Sequence, residues 1–138
     1  MLKIVIVGTG WGGMELGKAS TDIPEAIEIL GCCSLSEPER AKFQSQFGGE
    51  VYKNFEDVLA LADVDAVLLA TPHSLHRDQV IAAANAGKHV FCEKPPAFNS
   101  QEVEEIIVVE KHSGKKLMYG FNHRHHDSII KMKELLNA

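Results

Sequence analysis

Short apolar runs alternate with mixed polar and apolar segments along the whole chain. The apolar runs are rich in β-branched side chains and end at glycine, proline or polar residues, as buried strands do. They predict strands at residues 2–7, 26–33, 51–52, 65–70, 89–92 and 116–120. The segments between them predict helices at residues 12–20, 36–47, 55–61, 75–86, 99–112 and 127–136. This alternation predicts right-handed crossovers and a doubly wound α/β domain, with a parallel sheet covered on both faces.

Local signals support two of these helices. Ser36 can cap a helix, and the proline and glutamates that follow it suit a first helical turn. This helix is predicted to end at Gly48. Asn99 or Ser100 is predicted to cap the long helix that Gly114 ends.

A glycine-rich loop, Gly8-Thr9-Gly10-Trp11-Gly12-Gly13, lies between the first strand and the first helix. In this context Gly8 permits the tight turn, Gly10 lets a pyrophosphate approach the backbone, and Gly13 lets the helix pack on the strand. Free N–H groups at the helix start would bind the anion. The pattern favours dinucleotide binding over a glycine turn needed only for packing or a site for another adenine-containing ligand, such as S-adenosylmethionine. Trp11 could contact a ligand, but we expect it to pack over the helix N-terminus.

The residue after the second strand bears on the choice of cofactor. NAD enzymes usually place an Asp or Glu there for the adenosine ribose, but this chain has Ser34. A missing carboxylate removes repulsion against a 2′-phosphate and slightly favours NADP. Leu35 stands where an arginine would secure NADP, and Arg40 and Lys42 are a turn or more away. Both NAD and NADP therefore remain open.

Two further polar segments, Thr71-Pro72-His73 and Glu93-Lys94-Pro95, follow predicted strands. Ligands of open α/β sheets bind at the carboxyl ends of the strands. Lys94 could hydrogen-bond a substrate carbinol oxygen and stabilise the charge that develops during hydride transfer. The alternative interpretation of Glu93 and Lys94 is a surface ion pair.

Several motifs together resemble one family. They are Gly8–Gly13, Thr71-Pro72, His76, the run 86–95 (Ala-Gly-Lys-His-Val-Phe-Cys-Glu-Lys-Pro) and Gly120-Phe121-Asn122-His123-Arg124. In order and spacing they resemble the N-terminal domain of the Gfo/Idh/MocA oxidoreductases. The resemblance implies a Rossmann fold and NAD(P)-dependent oxidation or reduction of sugars, nucleotide sugars or cyclitols. On this basis residues 1–120 are the NAD(P)-binding domain, and residues 121–138 are a linker and helix.

The resemblance also implies roles for individual residues. Lys94 would contact substrate and support proton transfer, with Glu93 as its structural partner. The segment Thr71–His76, with Pro72 and His73, would line the nicotinamide side. Asn122 and Arg124 would face the active-site cleft.

The family's substrate-binding domain has no counterpart in these 138 residues. We therefore expect this chain alone to be inactive. In the family that domain also mediates oligomerisation, so the resemblance implies a homo-oligomer for the complete protein. The alternative is an NAD(P)-binding module or fragment that has no activity of its own.

Composition excludes several other classes. A net charge of −5 with scattered basic residues argues against nucleic acid or an acidic membrane as partner. No apolar run reaches the roughly 18–20 residues of a membrane span, and since the first predicted strand begins at residue 2, we expect no signal peptide. Three cysteines without C-x-x-C spacing fit reduced thiols and a cytoplasmic protein.

Two remaining features invite a chemical interpretation. His123, His125 and His126 flank Arg124, but on an extended segment consecutive side chains point in opposite directions, so no metal site is predicted. One or more of these histidines could line the cleft, or all could be ordinary exposed residues. Cys92 is predicted to be a small apolar filler rather than a nucleophile.

Overall fold

Six parallel strands form the centre of the computed structural model, which describes residues 1–137. The strands are β1 (Leu2–Val7), β2 (Ile27–Cys33), β3 (Glu50–Tyr52), β4 (Ala66–Leu69), β5 (His89–Cys92) and β6 (Leu117–Tyr119). They lie in the order β3-β2-β1-β4-β5-β6, and every neighbouring pair is parallel. This arrangement confirms the predicted doubly wound Rossmann fold.

Six α-helices connect or follow the strands. They are α1 (Trp11–Thr21), α2 (Glu37–Phe47), α3 (Phe55–Leu59), α4 (His73–Asn85), α5 (Ser100–Ser113) and α6 (Asp127–Leu136). The predicted caps are confirmed at two of them. Ser36 Oγ accepts a hydrogen bond from Glu39 N at 3.4 Å, and Asn99 Oδ1 accepts one from Glu102 N at 3.0 Å.

The sheet separates two apolar cores. Successive side chains of a strand point to opposite faces, so β1 contributes to both. Val5 and Val7 pack with residues of α4 and α5 on one face, whereas Ile4 and Ile6 pack near Phe43 of α2 on the other. All four β1 side chains are at most 2% exposed, so the central strand is held on both faces.

The strand order places the carboxyl ends of all strands at one edge of the sheet. β1 pairs with β2 on one side and with β4 on the other, so the winding direction reverses between β1 and β4. Ligands of such sheets bind at this switch point. The predicted functional segments follow β1, β2, β4, β5 and β6, and they therefore meet at the same edge.

The structure corrects two local expectations. Helix α4 begins at His73, two residues before the predicted start, and Pro72 is its N-cap residue. Residues Asn122–His125 form a 3₁₀ turn rather than an extended segment. Side chains three apart eclipse in such a turn, and the rings of His123 and His126 accordingly lie 5.2 Å apart.

Every residue from Phe121 to Asn137 is exposed, including the apolar side chains of α6. Within residues 1–137, the helices are too short or too polar to cross a membrane.

Candidate functional site

Two glycines of the loop after β1 are required by the fold itself. Gly8 has a φ of +86°, and a methyl group there would lie 2.6 Å from the carbonyl oxygen of Ala70. A methyl group at Gly13 would overlap the carbonyl oxygen of Gly8, because α1 packs directly on the loop. These two glycines bring β1, α1 and the end of β4 into contact.

Neither packing nor backbone conformation requires a glycine at position 10. Its φ is −66°, which any residue adopts, and a methyl group there would meet no atom within 4 Å. Gly10 is also the N-cap residue of α1 and supplies no side-chain cap to the first N–H groups of the helix. The backbone at Gly10 is therefore open to an anion at a helix N-terminus, which is what a pyrophosphate requires.

The neighbouring Thr9 provides a second sign of a ligand. Its hydroxyl oxygen is buried and has no hydrogen-bond partner among residues 1–137. Buried polar atoms are nearly always paired, so an orphan in a glycine loop is explained when a bound molecule provides the partner. The loop therefore fits a dinucleotide.

A cavity of about 640 Å³ lies over the loop and spans the switch point between β1 and β4. Gly8, Thr9 and Gly10 line its centre, Thr71 and Pro72 line one side, and Ser34 lines the other. Thr71 Oγ1 donates a hydrogen bond to Gln79 Oε1 at 2.5 Å. Gln79 also lines the cavity, although nothing in the sequence pattern singled it out.

The end of the cavity beside β2 contains a carboxylate as well as the Ser34 hydroxyl. Ser34 Oγ donates a hydrogen bond to Glu39 Oε2 at 3.2 Å, so a carboxylate from α2 lies where the sequence offers only a hydroxyl. The spacing Ser36-x-x-Glu39 was the available signal, because it is the capping-box pattern that turns a glutamate back toward the helix start. Arg40 donates to the carbonyl oxygen of Ser34.

His76 joins two functional segments from inside the protein. It is fully buried, its Nδ1 lies 2.7 Å from the carbonyl oxygen of Pro95, and its Nε2 lies 2.8 Å from that of Thr71. It does not line the cavity. His76 thus connects the segment after β4 to the segment that carries Lys94, instead of facing a ligand as the resemblance implied.

Lys94 extends from the end of β5 into a second, larger cavity. It is exposed, precedes a cis peptide bond to Pro95, and forms no ion pair or side-chain hydrogen bond within the described part of the chain. The cavity has a volume of about 1070 Å³ and runs as a trough along the face of the sheet beside α1. Trp11 and Asn122 line it together with Lys94.

Glu93 lines the same trough as Lys94, but the two side chains form no ion pair within residues 1–137. The carboxylate of Glu93 lies against Gly120, where an added methyl group would approach Oε2 to 3.0 Å. The alternative of a surface ion pair between Glu93 and Lys94 is therefore wrong. Glu93 packs between the ends of β5 and β6, and the ammonium of Lys94 is left free.

Other predicted residues lie elsewhere. His73 is exposed and lines a separate polar groove beside Arg77. Arg124 lies over the ring of Phe121, 4.9 Å from its centroid, and lines neither of the two cavities. Trp11 is 83% exposed, so the expectation that it packs over the helix N-terminus is wrong.

The environment of Cys92 disfavours nucleophilic chemistry. Cys92 is fully buried, and burial, followed by the charge of Glu93, raises the pKa of its thiol to about 12. A thiol in that state is a poor nucleophile. Across residues 1–137, no three His, Cys, Asp or Glu side chains are grouped so that they could hold a metal ion.

The fold and the glycine-loop cavity define a Rossmann-type α/β domain. The model of the Gfo/Idh/MocA oxidoreductases, a family described by its NAD-binding Rossmann fold, matches residues 2–121. Because this match covers most of the chain, the protein belongs to that family, and its nucleotide-binding domain is an NAD-binding Rossmann domain.

Inositol dehydrogenases are among its relatives. The chain is 33% identical over 138 residues to inositol 2-dehydrogenase 3 of Saccharopolyspora erythraea, covering 99% of this chain and 41% of that protein. It is 33% identical over 119 residues to the scyllo-inositol 2-dehydrogenase (NADP(+)) of Bacillus subtilis, covering 86% of this chain and 36% of that protein.

A solved structure gives the same picture. The scyllo-inositol dehydrogenase of Lactobacillus casei, solved with bound NAD(H) and scyllo-inositol, superposes with a TM-score of 0.92 at 32% identity. The match covers 99% of this chain and 41% of that one. The chain thus spans 36–41% of the length of these relatives.

Proposed function

We propose that this chain binds a nicotinamide adenine dinucleotide across the ends of β2, β1 and β4, as the cofactor-binding part of an oxidoreductase. The enzyme would transfer a hydride between the nicotinamide and a hydroxyl or keto carbon of a cyclitol, sugar or nucleotide sugar. The observation that carries the proposal is the open space over Gly10, which neither packing nor backbone conformation explains. The relatives support the polyol class, since they are inositol dehydrogenases by name.

Different residues of the chain would contact different parts of the dinucleotide. The loop Gly8–Gly13 would hold the pyrophosphate through backbone N–H groups, with Thr9 Oγ1 as a further partner. Ser34 would face the adenosine ribose. Thr71 and Pro72 would lie toward the nicotinamide, which would supply the hydride-accepting or hydride-donating carbon when bound.

Lys94 is the proposed catalytic residue. Its free ammonium shares the trough with Asn122 and Trp11, on the β5 side of the glycine loop. In that position it would hydrogen-bond the substrate oxygen, hold it in line for transfer, and stabilise the charge on that oxygen. Asn122 would orient the same substrate, and Arg124 would join it only if the 3₁₀ turn moves.

The activity of the complete protein is part of this proposal. Residues 121–138 would lead from the cofactor-binding part, residues 1–120, to a substrate-binding part, and the complete protein would be a homo-oligomer. Cys32, Cys33 and Cys92 are buried and free, which favours a reducing compartment such as the cytoplasm.

Titration of the chain with NADH and NADPH, followed by the fluorescence of the reduced nicotinamide, tests cofactor binding. Gly10→Val should weaken binding of both dinucleotides by about tenfold or more, because its side chain would occupy the space of the pyrophosphate. Its free energy of unfolding should change by about 1 kcal/mol at most, since only an N-cap preference is altered. Wild-type affinity in Gly10→Val, or no binding of either dinucleotide by the wild type, would contradict the proposal.

A second experiment addresses Lys94. In a polypeptide that also contains the substrate-binding part, Lys94→Ala should abolish turnover of inositols and related sugars while cofactor affinity stays unchanged. Turnover close to that of the wild type would refute the catalytic role and leave cofactor binding intact.

A further inference from the structure

The carboxylate beside Ser34 bears on which dinucleotide the cavity accepts. Glu39 is the third residue of α2, and its side chain turns back to the end of β2, where Ser34 Oγ donates a hydrogen bond to Oε2 at 3.2 Å. Ser34 and Glu39 both line the cavity that contains the glycine loop. The chain therefore has an acid at the adenosine end, although the acid comes from the helix rather than from the strand end.

We propose that Glu39 selects the cofactor: its carboxylate, held beside Ser34, accepts a hydrogen bond from an adenosine ribose hydroxyl and repels a 2′-phosphate, so that the chain prefers NAD(H) to NADP(H). This inference rests on the proposed function, because it assumes that the adenosine moiety lies beside β2. It reverses the slight preference for NADP that a neutral Ser34 indicated.

The hydrogen-bonding pattern leaves Glu39 free for this role. Ser36 N donates to Ser34 Oγ at 3.3 Å, so the Ser34 hydroxyl accepts from the backbone and directs its own hydrogen to Glu39. The second carboxylate oxygen, Oε1, accepts no hydrogen bond from any residue in the range 1–137. A ribose hydroxyl can donate to that oxygen, whereas a phosphate cannot, since at neutral pH it is an acceptor.

The other charges around the cavity do not favour a 2′-phosphate. Its charged lining consists of Glu39, Glu56 and Lys53, so carboxylates outnumber ammonium groups. Arg40 does not line the cavity, because its guanidinium is directed to the carbonyl oxygen of Ser34. Lys53 is the one cation in this lining that could bind a 2′-phosphate. If the cavity instead preferred NADP(H), Lys53 is the residue on which that preference would depend.

Helix capping is the competing explanation for Glu39. In a capping box the glutamate side chain would accept from the N–H of the cap residue, here Ser36. In this structure that N–H donates to Ser34 Oγ instead, and the cap itself uses the backbone N–H of Glu39. Replacing the carboxylate with an amide therefore keeps the cap, and Glu39→Gln is a suitable variant.

The experiment compares two dissociation constants measured on the same sample of the chain. NADH and NADPH are titrated against the wild type, Glu39→Gln, Glu37→Gln and Lys53→Met. Glu37 is the matched control, since it lies in the same helical turn but outside the cavity. The wild type should bind NADH about tenfold more tightly than NADPH or better, and Glu39→Gln should reduce that ratio about tenfold. Glu37→Gln should leave the ratio unchanged, and Lys53→Met should not weaken NADPH binding selectively.

The outcomes separate this inference from the proposed function. Binding of neither dinucleotide would overturn both. NADPH binding as tight as NADH binding in the wild type, an equal ratio in Glu39→Gln and the wild type, or a selective loss of NADPH binding in Lys53→Met would overturn the role of Glu39 alone. If Glu39→Gln weakens the binding of NADH and NADPH equally, the ratio of the two dissociation constants is unchanged. That result also overturns the role of Glu39 in cofactor choice, because it indicates a structural role.

Discussion

The two halves of the functional edge are built differently. At the ends of β1 and β4 the chain is enclosed: Thr9 is 2% exposed and His76 is fully buried. Beyond β5 and β6, Lys94 has no side-chain partner within residues 1–137, and every residue from Phe121 to Asn137 is exposed. The enclosed half is held by packing within this domain, so substitutions of its tightly packed residues should alter stability. Substitutions in the open half should alter chemistry and leave stability unchanged.

The largest expected effect is in the enclosed half, at Gly13. Gly13→Val places a branched side chain against the carbonyl oxygen of Gly8 and forces α1 away from β1. We expect a loss of about 4 kcal/mol of unfolding free energy or failure to fold, measured by urea denaturation. Gly12→Ala is the control, since its methyl group would lie an ordinary 3.6 Å from Ala70 Cβ, and it should change stability by less than about 1 kcal/mol. Equal stability of the two variants would mean that the loop is not packed as described.

His76 should show the next largest effect. His76→Leu leaves the carbonyl oxygens of Thr71 and Pro95 without their ring partners, so we expect a loss of about 2–4 kcal/mol by the same measurement. His73, in the same helix, is exposed, and His73→Leu should stay within about 0.5 kcal/mol of the wild type. If both variants are equally stable, the buried connection between the two segments contributes nothing.

Two lysines of the same sequence motif compare a buried side chain at the amino end of β5 with an exposed one at its carboxyl end. Lys88 is 6% exposed, and its ammonium donates to the carbonyl oxygens of Leu61 and Val64, the latter at 2.9 Å. Lys88→Met should lower stability by about 2 kcal/mol, because both carbonyl oxygens lose a charged donor. Lys94→Met should leave the thermal unfolding midpoint unchanged within a degree or two, as expected for an exposed side chain without partners. A large shift in Lys94→Met would show that the open half is also held by packing.

The smallest effect is expected in α6. Ile130 is 44% exposed, and Ile130→Ser should change the unfolding free energy by no more than about 0.5 kcal/mol. The matched substitution in α5, Ile106→Ser, removes a side chain that is 3% exposed and should lower it by about 3 kcal/mol or more. Equal losses would indicate that α6 packs against the domain in solution.

Local patterns in the sequence predicted most of the fold. The bounds of β5 and α6 agree with the structure, and the caps at Ser36 and Asn99 form as expected. These features depend on neighbours within a few residues, which a sequence displays directly. The 3₁₀ turn at Asn122–His125 was missed, because its residues have no strong preference between a tight turn and extended backbone.

The candidate site was predicted less completely. The strand ends identify which segments meet, but not which side chains face a cavity. His76 illustrates the difference, since its two partners are 5 and 19 residues away and both are backbone atoms. The position of Glu39 beside Ser34 does not follow from the sequence pattern, because Glu39 lies on α2 and not in the segment directly after β2.

The sequence by itself determined the strand and helix pattern, the glycine loop between β1 and α1, and the placement of Lys94 after a strand. It did so because hydrophobic periodicity and glycine positions act over short distances along the chain. Only the tertiary structure decided that Gly8 and Gly13 serve packing while Gly10 lies open, that His76 is internal, and that a carboxylate accompanies Ser34. Those facts depend on how α1, α2 and α4 pack on the sheet, and packing brings together residues that no local pattern relates.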